Sequence, residues 1–200
     1  MARTLSKTTL LLLVAGACIL IVAGGFFTTY NNLVSKDEAA STAWADVQSQ
    51  YQRRADLVPN LVNTVKGYAS HESATLEGVV SARARATQIT LTSDDLSEEK
   101  LRQYQAAQGE LSQALGRLLA VTENYPDLKA SENFSELQAQ LEGTENRINE
   151  SRQRYNAAVR EYNVSVRRFP ANIVAGMFGF SRKNAFEAAA GAAQAPTVSF

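Results

Sequence analysis

The chain has 200 residues, with 20 Lys and Arg against 20 Asp and Glu, one cysteine and one histidine. Interspersed charges of both signs argue against a nucleic-acid partner, which needs a clustered basic face. A lone cysteine and a lone histidine exclude an intramolecular disulfide and Cys/His zinc frameworks, and no cofactor is implied. Turn chemistry is scarce, with four prolines and 11 glycines, so long helices are the economical reading.

Residues 1–30 carry Arg3 and Lys7 and no acid, and nothing from Thr8 to Ser35 is charged. Leu10 to Phe27 is almost continuously apolar. About 20 apolar residues in a helix cross ~30 Å of hydrocarbon, so residues 1–30 read as a single transmembrane anchor. Phe27 and Tyr30 fall at its interface, where aromatic rings are at home. Ala15-Gly16-Ala17 has the small-residue pattern of a signal-peptidase site, and with Cys18 it loosely resembles a lipoprotein box. Either cut would leave only Leu10–Val14 as the apolar core and would expose Ile19-Leu20-Ile21-Val22-Ala23, so retention is the better reading. Two Lys/Arg precede the span and one, Lys36, follows it, which favours the N-terminus inside. Gly16, Ala17, Ala23 and Gly24 signal a dimerising span only weakly, without a GxxxG.

Residues 31–187 read as an all-α, antiparallel up-and-down bundle of three long helices plus a short C-terminal one. From Asn31 to about Thr87 the only strong interruption is Pro59. Val47, Tyr51, Arg54, Val58, Leu61, Val65 and Tyr68 alternate at spacings of four and three, the stripe of an amphipathic helix, and Leu76, Val79, Val80 and Arg83 continue it. Proline inside a helix removes a hydrogen bond at a cost of ~3 kcal/mol, so Pro59 marks a kink or a new start, its freed carbonyl satisfied by polar neighbours. Thr90–Asp95 reads as a loop. Ser97, followed by Glu98 and Glu99, is an N-cap for a helix carrying Leu101, Tyr104, Leu111, Leu115, Leu118 and Thr122. That helix ends before Tyr125-Pro126. Asn133 with Glu136 has reciprocal-cap spacing, and Ser131 is a competing cap.

In the last long helix Leu141, Ile148, Tyr155, Tyr162 and Phe169 recur every seven residues, a bundle seam, with Asn149, Asn156 and Asn163 running alongside. Phe169-Pro170 ends it. Ile173–Phe180 is too short to span a membrane and reads as a capping helix or an interfacial segment. Residues 188–200 read as an Ala-rich tail, with Val198-Ser199-Phe200 a candidate docked end.

The candidate cluster is Arg53, Arg54, Asp56, Pro59 and Asn60, with Glu145, Arg152 and Asn156 on the last helix. A buried polar network that fixes helix register is one reading, and an exposed recognition surface is the other. His71-Glu72 lacks the second histidine of a metalloprotease helix, because position 75 is Thr. No nucleophile is marked beside it, so His71 reads as a surface residue.

Several runs together resemble the LemA family of bacterial membrane-anchored proteins. They are Tyr30-Asn31 with Leu33-Val34, Arg53-Arg54 with Asp56–Val62, Val65-Lys66-Gly67-Tyr68, Glu123 with Tyr125–Ala130, and Asn133-Phe134. Thr144–Ile148, Arg152, Tyr155-Asn156, Tyr162-Asn163 and Phe169-Pro170 complete the set. Ala55 stands where relatives are often bulkier. The resemblance implies a single-pass anchor and a helical bundle, but no particular chemistry. It also implies a bundle in the cytoplasm, opposite to the charge count. The expected function is a membrane-tethered, non-enzymatic module that binds or scaffolds membrane or envelope proteins. The alternative is a small-ligand sensor or enzyme using the polar cluster around Pro59, which requires a pocket joining Arg53 or Arg54 to Asn60 and the last helix.

Overall fold

A computed structural model describes residues 7–93 and 95–187, so the Ala-rich tail and its candidate docked end lie outside the described residues. Every regular element among them is a helix: α1 (Lys7–Tyr68), α2 (Ser73–Gln88), α3 (Glu98–Thr122), α4 (Pro126–Lys129), α5 (Glu132–Arg167) and α6 (Ala171–Phe178). At 1.5 Å per residue, the 62 residues of α1 extend about 90 Å. Its N-terminal part holds an 18-residue window of mean hydropathy 2.7, none of it buried. The core helix of a globular protein would cover such a window, whereas here Leu12 and Leu20 are 72% and 74% exposed. By length, composition and exposure this segment can cross a membrane.

Beyond the apolar run, α1 becomes the central helix of the bundle. It pairs antiparallel with α5 along its length, as the contacts Lys36–Glu161 at 3.4 Å and Arg54–Glu145 at 2.7 Å show. The expected helix from 31 to about 87 is in fact two helices. α1 ends at Tyr68 and the chain reverses through Ala69–Glu72, where the Glu72 N–H donates to the Ala69 carbonyl (3.1 Å) and the Tyr125 hydroxyl donates to the Glu72 carboxylate (3.1 Å). The sequence cue is Gly67 followed by Ser70-His71, all poorer helix formers than the residues before them. The reward is burial, because reversal lays Leu76, Val79, Ala82 and Ala86 over Val58, Leu61 and Val65. A straight continuation would leave those faces in water. The bundle therefore has a fourth, shorter member.

Three apolar clusters follow one another along α1. Nearest the apolar segment, Leu33 meets Tyr162, Val166, Val174 and Ala175. Next, Ala40, Trp44, Val47 and Tyr51 pack with Leu101, Tyr104, Ile148, Tyr155 and Phe186. Farthest out, Val58–Ala69 pack with α2, α3, Leu128 and Phe134. The loop between α2 and α3 is tied down by its Leu91 carbonyl, which accepts from Trp44 Nε1 (3.2 Å) and Gln48 Nε2 (2.7 Å). Ser97 caps α3, its Oγ accepting from the Lys100 N–H (3.3 Å). Ser131, not Asn133, stands at the start of α5, without a side-chain cap bond. The helical stripes are buried as expected except at Tyr68 and Phe169, at or beyond helix ends, and at Val80, which lies in the middle of α2 on its solvent side.

Pro59 neither starts a helix nor ends one; α1 runs through it. Lacking an N–H, it leaves the carbonyl of Ala55, four residues back, without its intrahelical donor. Arg83 of α2 supplies the replacement, its Nε donating to the Ala55 oxygen at 2.7 Å. The rescue comes from across the bundle and not from the polar residues beside the proline. Arg83→Met should therefore cost about 1–2 kcal/mol in chemical denaturation followed by circular dichroism. In a Pro59→Ala background, where residue 59 regains its N–H, the same change should cost less than half as much. Equal costs in both backgrounds would disprove the coupling.

Candidate functional site

Arg54 is 1% exposed and lies between the middle and outer apolar clusters. A buried guanidinium is costly unless it is hydrogen-bonded; α3 and α5 supply partners to both Nη atoms, while the buried Nε has none among the described residues. Its Nη1 donates to Ser112 Oγ of α3 and to Glu145 Oε1 of α5, both at 2.7 Å. Its Nη2 donates to the Gln108 backbone oxygen (3.1 Å) and side-chain Oε1 (2.6 Å). Gln108 Nε2 then donates to the Ala86 carbonyl of α2 at 3.1 Å. The charge also lies 5.1 Å from the centre of the Tyr51 ring. One side chain of α1 thus links all four bundle helices.

The rest of the candidate cluster divides. Arg53, Asp56, Pro59 and Asn60 lie on the exposed face of α1 and take no part in this network. Among the described residues, Asp56 accepts only from Gln52 Nε2 of its own helix, at 2.8 Å. For Arg53 and Asp56 the buried-network alternative therefore does not hold. The stripe runs through Tyr51, Arg54 and Val58, and positions 53 and 56 point away from it. Arg54 and α5 share a cleft, but Arg53 and Asn60 do not line it, so the pocket that the small-ligand reading requires is not assembled.

Arg152 and Asn156 serve a segment that carries no periodic signal in the sequence. Residues 181–187 run extended beside α5 as a strap. Asn163 Nδ2 donates to the Lys183 carbonyl (2.8 Å) while its Oδ1 accepts from the Lys183 N–H (2.9 Å). Asn156 repeats the arrangement on Phe186, at 3.1 and 2.9 Å. Tyr155 donates to the Asn184 carbonyl at 2.8 Å, and the Phe186 ring packs against Trp44 and Tyr155. The Arg152 guanidinium lies 4.7 Å over the Phe186 ring and reaches the Glu187 carbonyl at 3.4 Å. The heptad of asparagines signalled this strap; what it would hold was not readable, because a backbone carries no side-chain pattern.

The strap ends at Glu187, on the lip of a cleft of about 810 Å³ between α3 and α5. Tyr51, Arg54 and Ile148 form its floor, with Gly109 and Gln113 on one wall and Asn149 on the other. Asn149 is the next rung of the asparagine ladder, exposed and without a hydrogen-bond partner among the described residues. Nothing here forms a nucleophile–base pair. His71 is exposed in the turn between α1 and α2, and no group of three His, Cys, Asp or Glu that could hold a metal occurs among the described residues. At the other end of the bundle, Phe27 is 67% exposed, while the Tyr30 ring packs 4.8 Å from Phe178 and 5.8 Å from Phe180.

Burial raises the hydroxyl pKa of Tyr51 and Tyr104, Arg152 and Arg54 pulling Tyr51 part of the way back. Burial pushes Tyr155 up to about 12, and burial with nearby Asp37 does the same for Tyr162. These folded values exceed the unfolded value near 10, so the folded chain holds its phenolic protons longer. Their contribution to stability is complete below about pH 10 and is lost as pH rises through about 12. Denaturation midpoints across that range should fall steeply, and Tyr155→Phe should flatten the fall. Arg54→Ala should cost about 3–5 kcal/mol by chemical denaturation, since it dismantles the buried network. Arg53→Ala and Asp56→Ala should stay within about 1 kcal/mol.

The LemA family model matches residues 43–200, a range that begins beside Trp44 in α1 and takes in the whole Arg54 network. Among curated proteins, the magnetosome proteins MamQ 1 and MamQ 2 of Paramagnetospirillum magneticum are each 25% identical over 175 residues, covering 79% of this chain and 64% of their own length. Magnetosome protein MamQ of Magnetospirillum gryphiswaldense is 27% identical over 174 residues, covering 78% of this chain and 64% of its own. This chain thus spans about 64% of the length of these relatives. With most of the bundle inside the matched range, the chain belongs to the LemA family.

Proposed function

We propose that this chain is a membrane-tethered, non-enzymatic helical module that holds a protein partner at the membrane, with the cleft between α3 and α5 as the docking place. The observation that carries the reading is the open rung at Asn149. The other two rungs each grip an extended backbone through a paired donor and acceptor, and the third presents the same amide to a cleft that no described residue enters as the strap enters the others. Such recognition suits an extended segment of another protein, because backbone bonds supply affinity and a few side-chain pockets supply selectivity. Arg54, the one chemically potent group on the floor, is already committed to holding helices together, which supports binding over catalysis. The exposed apolar part of α1, continuous with the bundle, supports the tether.

A photo-crosslinking residue at Gln113, in the full chain in native membranes, tests this. The expected result is an adduct with one discrete second protein that disappears in Asn149→Ala while the melting curve is unchanged. Crosslinks confined to the chain's own residues 188–200 would overturn the partner reading, as would an adduct indifferent to Asn149.

A further inference from the structure

α6 meets α1 where the apolar run of α1 ends. The Phe178 ring lies 5.8 Å from Phe26 and 4.8 Å from Tyr30. Once α1 is taken to cross a bilayer, the tethering part of the proposal above, α6 must lie at the bilayer boundary. Its composition fits that position. Val174 and Ala175 are buried against the bundle, whereas Ile173 and Met177 are 54% and 66% exposed, and Phe169 just before the helix is 75% exposed. An apolar helix face with no protein cover is stable where lipid covers it.

The charge beside this face is predominantly positive. Arg160, Arg167, Arg168 and Arg182 line a cavity of about 760 Å³ that has no acidic residue in its lining. Arg54, Arg85, Arg102 and Arg154 are engaged by carboxylates, whereas none of the four arginines of the recess has an ion pair or side-chain hydrogen bond among the described residues; Arg53, Arg117 and Arg147 also have none, but only these four are gathered in one acid-free recess. An adjoining cleft of about 610 Å³ shares Arg160 and Arg168, adds Lys36 together with its ion-pair partner Glu161, and opens onto Phe169 and Thr28 of α1. Unpaired guanidinium groups are matched to phosphate oxygens by their planar fork. Arg160 and Arg168 stand between Phe169 and Thr28 of α1, and Arg167 and Arg182 stand beside them in the recess. We propose that this arginine-lined recess seats the phosphate groups of anionic phospholipids, with Phe169, Ile173 and Met177 in the upper acyl region. The bundle then stands on the membrane at two places, the α1 exit and the α6 foot, instead of swinging from one.

The test uses the full chain in nanodiscs of phosphatidylcholine with or without phosphatidylglycerol. A nitroxide on Met177→Cys, in a Cys18→Ser background, should be shielded from a water-soluble relaxant. Native mass spectrometry should show preferential retention of phosphatidylglycerol. Replacing the four arginines by Gln should lower that preference by about tenfold or more, and replacing them by Lys should preserve most of it, with thermal melting unchanged in both. A water-exposed nitroxide or equal retention of the two lipids would overturn the proposal. So would millimolar inorganic phosphate displacing the lipid, since the recess would then be a site for a soluble anion. Loss of partner crosslinking at Gln113 would leave this result untouched, because the cleft and the recess share no residues.

Discussion

The fold depends on where one buried charge can be satisfied. α5 carries a seven-residue repeat of large side chains, and such a seam is nearly degenerate: sliding it by one repeat sets Tyr155 where Ile148 was and still buries apolar surface. Arg54 removes the degeneracy. Only one alignment brings Glu145 of α5 and Ser112 with Gln108 of α3 to its guanidinium, and every other leaves a cation in an apolar interior at a cost of several kcal/mol. The polar layer stands between two apolar clusters, so a shift in either direction is penalised. Because Gln108 passes the contact on to the Ala86 carbonyl, the same layer positions α2, the shortest of the four bundle helices.

A second constraint comes from Pro59. A proline deep in a 62-residue helix would ordinarily divide it, and α1 has to remain whole to join the apolar segment to the bundle. Arg83 preserves the join by accepting the role of the missing N–H, and it can do so only because α2 folds back against α1. The reversal at Ala69–Glu72 and the unbroken passage through Pro59 are therefore one event seen from two sides. The proline, which in isolation signals a break, here makes α2 necessary.

Helical class, the apolar segment and most core positions were readable because they rest on period and composition, which a chain states directly. The α3 stripe from Leu101 to Thr122 is buried at every position named from its spacing. Boundaries set by tertiary partners were less readable. The turn after Tyr68 carries only Gly67 and Ser70 as local signals, and it forms because a back-folded α2 buries more surface. Of the polar cluster, Arg54 and Glu145 lie together as the stripe implied, while Arg53, Asp56 and Asn60 were grouped with them by proximity in the chain, which on a helix places neighbours on different faces. The unpaired arginines at the foot were invisible for another reason. Arg160 and Arg182 come together only because the strap returns along α5.

That return has a metric basis. Seven helical residues advance about 10.5 Å and three extended residues about 10 Å, so a ladder with one rung per heptad on α5 meets every third residue of the strap. Asn163 and Asn156 accordingly fall on Lys183 and Phe186. The two lattices are commensurate, like the scales of a vernier, and they match through backbone atoms alone. Side chains on the strap are thereby free to vary except where, as at Phe186, they fill the core, whereas the number of residues between rungs is not free. For this chain, the strap is a ruler in which length is constrained more tightly than sequence.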